Sequence, residues 1–420
     1  MKIALTTVGS TGDIQPFIAL ALTLQTAGHQ VRVVSHPFHA EHFISRGIDF
    51  ASCGPIVVQE DLNKLFDRML NTKNPVRQVK ILMDEAFFAE GETYFAQAKA
   101  ATAGFDIAVS HMVDFLGQEA VSQNGIPGIG VILAPAAIPT RYAQPLRTPN
   151  LGSWLIPFWW ALMRLALRPV DKRAMRYLKT LGGTRQDIRS FSALSPDLNL
   201  IAASPTLAPT YPDLPANFKQ TGPWVLPEPA FEPAPGLVDF IARHPRPVIV
   251  SLGSMGGTHG EELTAKLLQA IKLAGQPAII QSGYAGLFAE NAPAHVHFVG
   301  YVPHGWLFSQ GSCVVHHGGA GTSTAVCRAG IPSVILAFFA DQPYFAENLE
   351  QLGIAPKILW NSRFTPARLA KRIQSAVADI AMQKRARKLQ PQFLAEEGSL
   401  KALQLIENFG ENVMAKKQAT

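Results

Sequence analysis

Cysteine is scarce. The 420 residues include three, Cys53, Cys313 and Cys327, with no Cys-x-x-Cys pair. That argues against a secreted disulfide framework and points to a reducing compartment. Charge is sparse too, at 16% of residues, and the formal excess of +6 is mild for this length. It favours anionic ligands or an acidic membrane surface weakly and falls short of a nucleic-acid signature, so no nucleic acid is expected as a partner. No apolar run makes a convincing membrane span, because the most apolar stretch, "LGSWLIPFWWALMRLALRP", is broken by Pro157 and Arg164. The opening "MKIALTTVGSTGD" carries one lysine and too short an apolar run for a secretory leader. A cytoplasmic location is therefore expected, with association at the cytoplasmic membrane face left open. Two nucleotide fingerprints are missing: "GSTGD" stands where a Gly-x-Gly-x-x-Gly would follow the first strand, and no Gly-x-x-x-x-Gly-Lys-Ser/Thr occurs. His259, His295, His297 and His304 have no metal-ligand spacing with partner acids, and Asp-x-Asp is absent, so no metal is expected.

What is present is a twice-repeated α/β pattern. "KIALTTV" reads as a buried strand, "GSTGD" as a loop, "IQPFIALALTLQTAGH" as a helix and "QVRVVS" as the next strand. The pattern blurs between about 55 and 105, then returns with "FDIAVSH" and "GIPGIGVI". Prolines then crowd residues 205–235, a density unsuited to a packed helix or central strand. After them "RPVIVSLGSM", "PAIIQS", "VHFVGYV" and "SCVVHH" read as further strands. The expectation is two doubly wound parallel-sheet domains: 1–215, a linker at 216–240, and 241–395. The amphipathic helix of 396–420 follows. Ligands belong at the carboxyl ends of the strands.

The stretch "VVHHGGAGTSTAVCRAGIP", Val314 to Pro332, concentrates the chemistry. A buried strand ends in two histidines, a run of small residues and the start of a helix. Glycines let backbone N–H groups meet a ligand with no Cβ between, and the helix N-terminus adds about half a positive charge. Such a cradle suits phosphate, although a plain strand-to-helix turn would read the same. Downstream, Asp341 and Gln342 stand side by side after "IPSVILAFFA". An acid and an amide there suit sugar hydroxyls, or the acid caps the next helix. His111 ends a strand and either lines an acceptor cleft or is structural. Trp154, Phe158 and Trp159, with Leu155 and Leu162, recur at near-helical spacing ahead of Arg164 and Arg168. They read either as core or as a lid over an apolar acceptor, one that could come from a membrane surface.

"HHGGAGTSTAVCRAGIP" followed by "FFADQPYFAENLEQLGIA" resembles the donor-binding signature of family 1 glycosyltransferases of the GT-B fold. "GSTGDIQPFIALALTLQTAGHQVRVVS", "VSLGSM" and "GYVPHGWLF" extend the resemblance over nearly the whole chain, 55–240 least. It is nearest the branch of sterol glucosyltransferases, glycopeptide-antibiotic glycosyltransferases and bacterial rhamnosyltransferases. The resemblance implies a nucleotide-sugar co-substrate, UDP-glucose first and a dTDP-sugar second, and no cofactor. It places His316, Gly318, Gly319, Ala320, Gly321 and Thr322 on the diphosphate, and Asp341 and Gln342 on the sugar. Tyr301 and Val302 fall at the base, and Ser254 at the phosphates. Plant members carry a ribose-binding glutamate where this chain has Thr324, which leaves UDP versus dTDP open. Asp13 falls where the branch keeps its catalytic aspartate; helix capping is its plain alternative. The implied reaction is inverting, metal-independent transfer of a hexose to an apolar hydroxyl compound, by a monomer or homodimer. The C-terminal helix is expected to cross back to the first domain. Two other readings stay open, a GT-B-fold nucleotide-sugar epimerase and a non-catalytic nucleotide-sugar binder.

Overall fold

A computed structural model describes residues 1–56, 59–72, 74–145, 148, 152–183, 195–253, 260–283 and 286–418. The chain divides into two compact units. The first takes Met1–Pro205, Pro209–Leu226 and Glu397–Thr420, and the second takes Thr206–Ala208 and Pro227–Glu396.

The first unit holds a seven-stranded sheet: β1 (Lys2–Thr6), β2 (Gln30–Ser35), β3 (Asp49–Ser52), β4 (Ile107–His111), β5 (Gly128–Ile132), β6 (Leu198–Ile201) and β7 (Phe218–Gln220). Every pairing is parallel and the order is β3-β2-β1-β4-β5-β6-β7. β1 and β4 are near-continuous apolar runs because helices cover both faces of the sheet, and Ile3, Ala4, Leu5, Ile107, Ala108 and Val109 are wholly buried. The helix Thr11–Thr26 turns Ile14, Phe17, Ile18 and Leu20 into the same core, and Gly28, at φ +86°, lets the chain turn back toward β2. The helix Gly398–Gln418 adds Ala402 and Ile406 to this core, and Glu407 Oε1 lies 3.1 Å from His29 Nε2.

The second unit holds β8 (Val248–Ser251), β9 (Ala278–Gln281), β10 (Val296–Val299), β11 (Cys313–His316), β12 (Ser333–Ala337) and β13 (Leu359–Trp360). They are again all parallel, in the order β10-β9-β8-β11-β12-β13. In each sheet the strand order reverses once, between β1 and β4 and between β8 and β11. The loops leaving such a pair diverge to opposite faces and open a crevice at the carboxyl ends.

The proline belt is more structured than a linker. Its prolines flank β7, an edge strand, and Pro235 opens the helix Pro235–Arg243, a position where its missing N–H costs nothing. The blurred stretch after residue 55 is helical, with Gln59–Asn71, Pro75–Leu82 and Gly91–Thr102.

Candidate functional site

Asp13 sits in the first turn of the helix Thr11–Thr26, beside the β1/β4 crevice. Its Oδ2 accepts from the Ser10 amide at 2.7 Å and the Ser10 hydroxyl at 2.9 Å. Capping therefore occupies one carboxylate oxygen. The other, Oδ1, faces His111 Nε2 at 3.9 Å. His111 ends β4, and its Nδ1 lies 3.3 Å from the Val8 carbonyl. A carbonyl only accepts, so Nδ1 carries the ring proton. Burial holds the imidazole below its ordinary pKa, against the opposing pull of Asp13 and the Val8 carbonyl. The neutral ring then turns an unprotonated Nε2 toward the carboxylate. Oδ1 is thus the carboxylate oxygen placed to accept the proton of one incoming hydroxyl.

Gly9 and His39 complete this corner, and neither stood out in the sequence. Gly9 has φ +127°, and a Cβ there would lie 2.4 Å from Asp13 Oδ2. His39 Nε2 sits 3.0 Å from the Gly9 carbonyl. The available signal was Ser10-x-x-Asp13, the spacing of a helix-capping pair directly after a glycine. A hollow lies at the carboxyl ends of the same strands, with Val8, His36, Phe87, Tyr94, Asp114 and Leu116 in its lining. Buried Asp114 accepts from Tyr94 Oη and the Gly117 amide, both at 2.9 Å, and burial pushes its carboxyl up to about 6. Trp154, Phe158 and Trp159 are not part of that lining. Trp154 and Phe158 are exposed, and Phe158 meets Trp159 edge-on at 5.6 Å. Trp160 turns inward instead and donates to the Ala143 carbonyl at 2.8 Å.

In the second unit, β11 leads through a glycine turn to the helix Ala320–Ala329, capped by Gly319. Gly318 has φ +91°, and a Cβ on it would press on the Gln342 carbonyl and on Ile335, each at 3.0 Å. The Gly318 amide donates to His316 Nδ1 at 3.2 Å, so it is not aimed at a ligand. The first helical bond runs from the Ser323 amide to the Gly319 carbonyl, which leaves the Ala320, Gly321 and Thr322 amides without intrahelical acceptors. His316 is wholly buried and its Nε2 has no partner. Burial, then His317 and His304, holds it well below the ordinary histidine range. His317 is less enclosed. Its ring lies against Gly319 and Gly253, and burial with His304 lowers it to about 4. It therefore spans the loops that follow β8 and β11.

Behind these histidines, Ser251 Oγ donates to Gln281 Oε1 at 2.8 Å, and Gln281 Nε2 donates to the Val302 carbonyl at 2.9 Å. Val302 is buried and Tyr301 is 76% exposed, so the two expected base contacts present different faces. Asp341 caps the helix Gln342–Gln351 by position, without a side-chain cap bond, after Ala340 at φ +55°. Gln342 is buried, and its Oε1 accepts from the Phe338 and Phe339 amides at 2.7 and 3.2 Å. Its amide oxygen is thus spent on the loop after β12. Ser254 lies outside the described residues.

Two family models match the chain: the glycosyltransferase family 28 N-terminal domain over residues 3–105, and the erythromycin biosynthesis protein CIII-like C-terminal domain over 279–404. The vancomycin aglycone glucosyltransferase of Amycolatopsis orientalis is 31% identical, over 84% of this chain and 85% of its own. The chain belongs to the GT-B glycosyltransferases. The O-mycaminosyltylonolide 6-deoxyallosyltransferase of Streptomyces fradiae is 28% identical over 98% of both chains. The sterol 3-beta-glucosyltransferase of Kluyveromyces lactis is 25% identical over 96% of this glycosyltransferase, which spans only 34% of that longer protein. Solved structures share the fold. The glycotransferase of kitacinnamycin has a TM-score of 0.70 at 22% identity, covering 97% of this chain and 98% of its own. Glycosyltransferase VinC, solved with dTDP, has 0.68 at 19%, covering 98% and 100%.

Proposed function

We propose that this glycosyltransferase moves a hexose, glucose first, from a nucleotide sugar to a hydroxyl of an apolar small molecule, with inversion. UDP-glucose is the leading donor and a dTDP-sugar the second. The observation that carries the reading is the Asp13 carboxylate, with one oxygen fixed by Ser10 and the other 3.9 Å from His111 Nε2. The acceptor O–H donates to Asp13 Oδ1, Asp13 takes its proton, and the oxygen attacks the anomeric carbon opposite the diphosphate. The leaving diphosphate is stabilised by the Ala320, Gly321 and Thr322 amides and the dipole of their helix. Of the two histidines, the burial of His316 favours His317 for the direct phosphate contact, with His316 shaping the turn through Gly318. Asp341 and the exposed ring of Tyr301 serve the sugar and the base. The sterol and the aglycone in the names of two relatives support an apolar acceptor, and the same names support glucose.

The test is a panel of phenolic, sterol and macrolide acceptors against UDP-glucose and dTDP-glucose. Acceptor-dependent release of nucleoside diphosphate is expected, with a β-glycoside formed from an α-linked donor. Sugar isomerised or released at the same rate without acceptor would overturn the reading.

A further inference from the structure

The helix Ile156–Thr180 has an outward face that is not part of the hollow beside Asp114. Ile156, Trp160, Leu167, Val170, Ala174 and Leu178 point into the first unit. The opposite face changes character along the axis. Its first turns, with Trp154 just before them, expose Trp154, Phe158, Leu162 and Leu165 at 77, 56, 43 and 62%. Its last turns expose Arg168, Lys172, Arg176 and Lys179, with Arg164 between the two halves. Steps of three and four residues carry both sets along one side of the helix. Asp171 is the sole acid in the helix, and Arg173 is already held by Asp84 at 2.7 Å and lies over Phe88. Among the described residues, no carboxylate is ion-paired with Arg164, Arg168, Lys172, Arg176 or Lys179.

We propose that this face docks obliquely on an anionic lipid bilayer. Trp154, Phe158, Leu162 and Leu165 enter the boundary between headgroups and acyl chains, and the basic turns meet lipid phosphates. Separate apolar and cationic ends on one exposed helix match the layered chemistry of that interface. No helix among the described residues is long and apolar enough to cross it, so the contact is peripheral. A twofold contact with a second copy could pair the apolar turns but would leave the basic turns without an anionic partner, whereas an anionic bilayer meets both halves.

The experiment uses the full chain, with sedimentation against vesicles of phosphatidylcholine alone and of phosphatidylcholine with phosphatidylglycerol. Binding is expected only to the anionic vesicles, and it should weaken as salt rises. Replacing the exposed pair Lys172 and Arg176 by glutamate should lower the partition coefficient roughly tenfold or more, because each cation near such a surface contributes independently. Phe158→Ser with Leu165→Ser should do the same at unchanged salt dependence. Far-ultraviolet dichroism and the melting temperature of each variant check that it stays folded. Equal binding to neutral vesicles, or equal binding by folded variants, would overturn the proposal. So would absence of vesicle binding together with an altered acceptor KM in the Phe158 variant, which would make the face an acceptor lid. A concentration-dependent dimer abolished by Phe158→Ser would give the face to a second copy and equally overturn it. The vesicle-binding readouts do not depend on which sugar or acceptor is used.

Discussion

At the residue scale, Asp13 has two duties that separate by oxygen atom. Oδ2 caps the helix and Oδ1 faces His111. Asp13→Asn retains an oxygen for Ser10, so its melting temperature should stay close to that of the parent. Transfer should fall by about 100-fold or more, the usual contribution of a positioned base. Near-normal turnover at saturating acceptor would sink the assignment. Gly9→Ala should mimic this loss, because its Cβ would land 2.4 Å from the carboxylate and displace it. The two histidines also separate. His317→Ala should weaken nucleoside diphosphate binding by about 1–3 kcal/mol, the cost of losing a hydrogen bond to a charged group. His316→Ala leaves the Gly318 amide without its acceptor and should lower stability more than affinity. Calorimetry and thermal melts of both variants distinguish the roles, and unchanged affinity in both would remove the histidines from the cradle. Gly319→Val should fail because a Cβ would strike the His317 ring at 2.4 Å.

At the element scale, Asp114 joins β4 to the helix Phe115–Gln123 as its N-cap, accepting from the Gly117 amide, and it is fully buried. Burial raises its carboxyl from 3.8 to about 6, against the pull of the Gly117 and Tyr94 hydrogen bonds. The folded state therefore holds this proton more tightly than the unfolded chain. Its stabilising contribution is complete below pH 3.8 and is lost as pH rises through about 6. A displacement of that size corresponds to about 3 kcal/mol. The unfolding free energy of the parent minus that of Asp114→Asn should fall by this order across that window. A difference that stays flat with pH would refute the burial account. Elements also show where sequence reading stops. Strands β1, β4, β8 and β11 are legible as apolar runs because both faces of each are covered. Strand β7 is not, since an edge strand flanked by prolines has no such run.

At the scale of the whole molecule, the chain ends in the unit where it began. Ile406 is wholly buried in the first unit's core beside Ala402. Ile406→Ala should cost about 2–5 kcal/mol through the cavity it leaves. The cradle after β11 belongs to the other unit, so nucleoside diphosphate affinity should be unchanged. Denaturant unfolding and calorimetry on the same variant check both halves of the statement. An equal loss of affinity would show that the terminal helix supports donor binding as well.

Local pattern alone determined the two parallel sheets, the glycine turn before the helix Ala320–Ala329, and the placing of Asp13 on the first strand-to-helix turn. Alternation, glycine and capping residues act within a few positions, so they can be read in one dimension. Only the tertiary structure decided that His111 faces Asp13, with Val8 and His111 joined across 103 residues by the parallel pairing of β1 and β4. It also decided that Gln342 spends its amide oxygen on the loop after β12, and that Trp160 turns inward while Trp154 and Phe158 face out. The stripe of aromatics at helical spacing is compatible with either orientation. Which side of a helix is buried depends on where the sheet lies, and strand order sets that.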